Sequence, residues 1–320
     1  MLKNLLCLLF ILFAIFCFSS CKNKGEIEVF NKNINISLEK DASIFSIIAL
    51  KEKNNQNLTR NKYEFLFLNN ETEVLTKIAA KKTDAAFLPA ILACALYNKT
   101  NGEILVCSIN ILNNLYLVSK DQSVQNILDL KNKTITTLKK DINFKPIIKI
   151  ILKNNNICDV KLKIVEDAKD LQKEENENII LAEPECTKII NDINLGNVKV
   201  INLAKEWENI SKGFPIPSSC LVVRKEFYKK NNKEFENFIL DFEENCCFAN
   251  NNISKTSFLV EKFLCIPNEK LRKSVPKCNL TNINGINMEN ILKNFFNILK
   301  KENPKFIGGQ APKDDFYIKN

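Results

Sequence analysis

Glu183 and Glu185 straddle Pro184 directly after the apolar run Ile179-Ile180-Leu181-Ala182. A carboxylate at the mouth of a buried strand has two uses: it caps the helix that starts at the proline, or it accepts hydrogen bonds from an amino or ring N–H group of a ligand. Other residues occupy equivalent places. Asp41 and Ser43 open the helix after the first strand, Leu88 and Pro89 open the helix after the third, and Thr136 and Thr137 close the stretch Thr134–Leu138 with two hydroxyls. The first turn of a helix presents backbone N–H groups that lack intrahelical partners, which is where a polar or anionic ligand is held. Each position also has a plainer role, as a helix cap, a helix starter or a β-branched strand end.

The residue types limit the chemistry. There is no histidine, which removes Ser-His-Asp and Cys-His catalysis and histidine-ligated metals. No cofactor or metal is expected. Arginine's bidentate fork is the favoured anion clamp, yet the arginines are Arg60, Arg224 and Arg272, none of them at a strand-end turn. Helix N-termini can still hold a nitrate or sulfonate. Glu183 shifts the balance toward a neutral or amine-bearing heterocycle, on which Tyr116, Trp207, Phe214 or Tyr317 can stack if they are not core residues.

These positions depend on an alternation of two periods. Strands are expected at 35–38, 63–68, 84–88 and 104–108, then at 115–119, 134–138, 160–165, 179–182, 198–203 and 220–224. Amphipathic helices of about ten residues fall between many of them. Such alternation implies α/β architecture with mixed, mainly parallel sheets. Asn113-Asn114 separates two rounds, and Gly213-Phe214-Pro215-Ile216-Pro217 interrupts the second with the densest Gly/Pro punctuation in the chain. Helices at 235–248, 256–264, 269–275 and 288–300 follow. The expected division is a first lobe at 34–113 rejoined by 222–320, and a second lobe at 114–221. Two crossing strands hinge the lobes, with Asn114 and Ser219 at the pivots, and a ligand sits between them at the strands' carboxyl ends.

A hydrophobic fraction of 45% with 26% charged residues marks a globular chain. The net charge of +9 is spread over lysines without a basic stripe, so no nucleic-acid partner is expected. Of 12 cysteines, nine lie beyond Cys21, an odd number without a CxxC pair and mostly within apolar runs. They read as small buried hydrophobes.

At the N-terminus, Lys3 precedes an apolar run from Leu5 to Phe18, followed by Ser19-Ser20-Cys21. The run is shorter than the roughly 20 residues a membrane span needs, which fits a cleaved signal. The small residues before Cys21 resemble the lipobox of bacterial lipoproteins. That resemblance implies a signal peptide at 1–20, acyl chains such as palmitate on Cys21, a tether at 21–33, and an exported protein anchored to the cell membrane.

Several stretches resemble solute-binding lipoproteins of ABC importers, in particular the type 2 periplasmic-binding fold of nitrate, sulfonate and taurine binders and their thiamine-pyrimidine relatives. Lys82-Thr83-Asp84-Ala85-Ala86-Phe87-Leu88-Pro89 is similar to the family's G-x-x-D-A-A-x-x-P turn. Leu128-Asp129-Leu130-Lys131-Asn132-Lys133-Thr134-Ile135 is similar to I-x-D-L-K-G-K-x-I, with Asn132 in place of glycine. Leu115 to Asp121, Ala182-Glu183-Pro184-Glu185, Phe214-Pro215-Ile216-Pro217 and Phe306-Ile307-Gly308-Gly309 follow in order. The resemblance implies a monomeric, non-enzymatic receptor that holds a small solute between its lobes, among Asp41, Ser43, Leu88, Pro89, Asn114, Thr136, Thr137, Glu183 and Phe214, and delivers it to ABC permease subunits. A pyrimidine or thiamine precursor, a sulfonate and a nitrate-like ion are the solutes to weigh. Enzymes of pyrimidine or menaquinone synthesis share the fold and are the alternative, although the pyrimidine synthases use a histidine this chain lacks. A structural surface lipoprotein is a third reading.

Overall fold

The computed structural model describes residues 33–172, 177–192 and 198–319. The expected signal peptide, Cys21 and nearly all of the tether lie outside these residues. Among the described residues, eleven strands form two sheets: β1 (Asn33–Glu39), β2 (Lys62–Leu68), β3 (Ala85–Pro89), β4 (Ile104–Leu112), β5 (Leu115–Ser119), β6 (Thr134–Leu138), β7 (Lys161–Val165), β8 (Asn178–Ala182), β9 (Lys199–Asn202), β10 (Pro217–Arg224) and β11 (Leu280–Ile283). The first sheet has the order β11-β4-β10-β3-β1-β2 and the second β7-β6-β8-β5-β9.

Parallel pairing is confined to β2-β1-β3 and β7-β6-β8. The sheets are thus less parallel than the alternation of elements implies, because β5, β9, β10 and β11 all enter antiparallel to a neighbour. Each parallel strand hands over to a helical turn at its carboxyl end, as right-handed βαβ connections require.

Period-2 alternation decides what covers the first sheet. Ala86, Leu88, Cys220 and Val222 face one core, which extends over the helix Gly285–Glu302 and on to Leu115, Ile135 and Trp207 of the second lobe. Ala85, Phe87, Leu221 and Val223 face another, closed by Phe235, Phe238 and Phe242 of the helix Asn232–Asn251. Trp207, fully buried, meets Phe295 edge to face at 5.4 Å. The helix Ala204–Ser211 that carries Trp207, the helix Lys225–Lys230 and β11 are additions to the elements expected from sequence. The nine cysteines beyond Cys21 are unpaired, and six of them are buried.

The chain passes between lobes at Asn113-Asn114 and at Gly213–Ile216, ahead of β10, which pairs with the first sheet from Pro217 onward. The two passages are bonded to each other. The Asn113 N–H donates to the Ile216 carbonyl at 3.0 Å, and the Ile216 N–H donates to Asn113 Oδ1 at 2.7 Å. Asn113 has φ 50°, a left-handed conformation that asparagine tolerates better than most residues. Asn114 stands next to this turn, while Ser219 lies two residues inside β10.

Candidate functional site

The carboxyl ends of five strands converge on one gap between the sheets. From the first lobe, Glu39 and Asp41 come from the end of β1, Glu71 from the helix after β2, and Pro89 from the end of β3. From the second, Lys140, Asp141 and Asn143 follow β6, and Glu183 to Glu185 follow β8. Asn114 and the β10 residues Ser218 and Ser219 complete the lining. The cavity is about 60 Å³, room for a few waters or one small group. This placement obeys the rule that open α/β sheets bind beyond the carboxyl ends of their strands.

Six of the lining residues are carboxylic acids and Lys140 is the lone basic residue. Lys140 is committed to Glu185, 3.1 Å away, which also pairs with Lys188 at 3.3 Å. Burial works to raise the Glu185 carboxyl, but the two lysines hold it below its ordinary range. The other five are shifted upward, by burial first. Glu71 and Asp141 are pushed up to about 7, each further raised by the nearby charge of Asp41. Glu39 and Asp41 are raised as neighbours, Glu39 by burial and then by the charge of Asp41. Glu183 is raised by burial against the hydrogen bonds it receives. Desolvation and like charge both penalise the ionised form, which is why these five carboxyls stand above their ordinary range.

Several of these groups also have local roles. Asp41 accepts from the Ser43 N–H at 2.8 Å and caps the short turn Ala42–Ser46. Glu183 accepts from the Thr187 N–H at 3.1 Å and the Thr187 hydroxyl at 2.8 Å, so it caps the helix Glu185–Asp192 while lining the cavity. Of the two roles weighed for Glu183, the fold shows the helix cap, and the carboxyl also lines the cavity. Glu71 accepts from Asn143 Nδ2 and ties the first lobe to the second. The Asp141 carboxylate accepts from the Ala182 N–H, yet its Oδ2 has no partner. Neither have Asn114 Oδ1 and Ser218 Oγ, and all three residues are more than nine-tenths buried. Buried polar atoms are rarely left unpaired, and each exception calls for an explanation.

Asp41, Pro89, Asn114 and Glu183 therefore meet in the cavity. Ser43 lies behind it, 3.3 Å from the Ser219 hydroxyl and accepting from Asn110 Nδ2 at 3.2 Å. Leu88 is core. Thr136 and Thr137 are buried within β6 and do not reach the lining, because the strand's hydroxyls stop short of the turn that carries Asp141. Phe214 packs against the core, as Trp207 and Tyr317 do, and Tyr116 packs in the second sheet with its hydroxyl donating to the Lys277 carbonyl at 3.0 Å. No aromatic from that set lines the cavity.

Glu39, Glu71, Lys140, Asp141, Asn143 and Ser218 join the lining without being among the residues expected from sequence. The signal was present: Glu71 opens the helix after β2 and Asp141 sits in the turn after β6. Among the described residues, no three acids or cysteines are grouped closely enough to hold a metal ion. The buried thiols are pushed up by desolvation, Cys94 to about 12, and are poor nucleophiles.

No family model matches this sequence, and no curated protein matches it. Solved structures do resemble its fold. An ABC transporter protein from Parabacteroides distasonis superposes with a TM-score of 0.72 at 19% identity, over 90% of this chain and 99% of that one. The zinc-bound ligand-binding component of an ABC-type import system from Staphylococcus aureus gives 0.69 at 14% identity, over 90% and 97%. The periplasmic aliphatic sulphonate-binding protein of Escherichia coli gives 0.67 at 12%, over 89% and 94%. The fold is the two-lobed type 2 periplasmic-binding architecture.

Proposed function

We propose that this protein is the solute receptor of an ABC importer. A small solute is captured between a lobe formed by 34–113 with 217–319 and a lobe formed by 114–216, and the closed form is handed to a permease. The observation that carries the reading is the cavity itself: both lobes line it, and it contains buried polar atoms that no described residue satisfies. Ligand contacts to both lobes favour the closed form, and a permease that binds only that form completes the cycle. Asp41, Asn114 and Glu183 are the site residues kept from the sequence reading, with Pro89 shaping the wall. The fold similarity supports this reading. Anchoring through acylated Cys21 would hold the receptor at the membrane; no described helix is long and apolar enough to cross one.

The acidic lining disfavours the sulfonate and nitrate alternatives, since an anion would face six carboxyl groups and one committed lysine. A thermal-shift screen of amines, aminopyrimidines, sulfonates and nitrate tests the reading, because a ligand of the native state stabilises it by RT ln(1 + [L]/Kd). Stabilisation by one class, with compaction in X-ray scattering, is the expected result. Chemical turnover of a stabilising compound, followed by NMR, would transfer the protein to the enzymes.

A further inference from the structure

We infer that the cavity selects a small organic cation rich in N–H donors, an amidinium, a guanidinium or a protonated amino-heterocycle; this rests on the receptor reading above. The argument begins with the unpaired atoms. Asp141 Oδ2 and Asn114 Oδ1 are both acceptors, both buried and both in the lining. A buried acceptor is satisfied only by a donor, so these two atoms require N–H or O–H groups from the occupant. An anion offers none.

Charge points the same way. Asp41, Glu39 and Glu71 face the gap from the first lobe, and Asp141, Glu183 and Glu185 from the second. The neighbouring cations are already engaged: Lys140 and Lys188 pair with Glu185, and Lys277 lies near Glu183 with its Nζ 3.4 Å from the Thr187 hydroxyl. Arg60 is bound to Asp241 and Glu244, Arg224 to Asp84, and Arg272 is exposed at the end of the helix Asn268–Arg272, so no described guanidinium lines the cavity. A planar cation with several N–H groups satisfies the acceptors and supplies the missing charge together.

The occupant then replaces protons. Burial pushes the Glu71 and Asp141 carboxyls up to about 7. A cation favours their ionised forms, so binding expels protons and affinity rises with pH. For one proton released from a group titrating near 7, the binding constant grows about tenfold between pH 6 and pH 8.

The test is calorimetric titration of the full chain in detergent micelles with acetamidine and methylguanidine. Acetamide serves as the uncharged isostere, and taurine, nitrate and calcium chloride as controls. Expected are binding of the two cations but not of acetamide, about tenfold tightening from pH 6 to pH 8, and proton release seen as a buffer-dependent heat. Asp141→Asn should lose at least about tenfold in affinity and flatten the pH profile, while Lys140→Met, which removes the one basic residue of the lining and leaves Glu185 paired with Lys188, should bind the cations several-fold tighter. Binding of acetamide or taurine in place of the cations, equal binding of calcium, or a cation affinity indifferent to pH and to Asp141→Asn would overturn the inference and leave the receptor reading standing. If no compound of any charge binds and none of the wider screen stabilises the protein, both fall.

Discussion

Replacing Asp141 by asparagine will stabilise the unliganded protein, and by more at alkaline than at acid pH. Burial is the main reason its carboxyl sits at about 7 in the folded chain, against roughly 3.9 when unfolded. The native state thus retains a proton that the unfolded chain has released. This group's favourable contribution is complete below about pH 4 and is lost as pH rises through 7. At 1.36 kcal/mol per pH unit, the ionisation penalty that the asparagine removes is about 2 kcal/mol at pH 5 and about 4 kcal/mol at pH 8.5. Only 7% of Asp141 is exposed, so solvent screens little of this. The amide keeps an oxygen for the Ala182 N–H, and any cost of its NH2 group is the same at both pH values and cancels in the difference. Glu39 and Glu71 each feel the Asp141 charge, so its loss relieves them too, again more at high pH. Thermal melts of both proteins at pH 5 and 8.5 should show the advantage of the variant widening by about 2–3 kcal/mol, equivalent to about 3–5 °C for a chain of this size. An advantage that is the same at the two pH values, or larger at pH 5, would refute the placement of this carboxyl in a desolvated acidic pocket.

Asn113→Ala removes the acceptor for the Ile216 N–H and places alanine at φ 50°; a loss of roughly 2 kcal/mol in urea unfolding is expected, with Asn113→Gly recovering the backbone share. Trp207→Ala, which empties a fully buried site against Phe295, should cost about 3–5 kcal/mol in the same assay. Cys21→Ser should convert a membrane-pelleting protein to one released into the supernatant on fractionation, and persistent pelleting would argue against acyl anchoring there.

Much of the architecture was legible because its signals are local. YEFLFL and LYLVS carry strand periodicity, and the chain folds them as β2 and β5 within a residue of the expected bounds. Asn132, standing where the resembling family has glycine, takes φ 61°, so the substitution keeps the left-handed turn in a residue that tolerates it better than most others with a side chain. The helix at Trp207 was hidden because AKEWENIS has only two large apolar residues, too few to establish a period. β11 was hidden for a different reason: four residues, LTNI, become a strand only by pairing with β4. The site was half legible. Helix starts after β1, β3 and β8 were considered as ligand positions, whereas those after β2 and β6 were not, although the same backbone argument applies. That six acids face one another is a tertiary fact. Glu39 and Glu185 are far apart in sequence, and only the order of strands in two sheets brings them together.

The paired bonds between Asn113 and Ile216 have a mechanical consequence. Two independent straps between bodies permit twisting and sliding as well as bending. Straps fused at one point act as a book spine and leave a single soft rotation about their common line. Any swing of the lobes is then confined to that rotation, and displacement grows with distance from the spine. The acids at the strand ends lie across the mouth of the gap, so a few degrees of opening would separate like charges. The repulsion that builds as the acids lose their protons accordingly acts as a spring toward the open state.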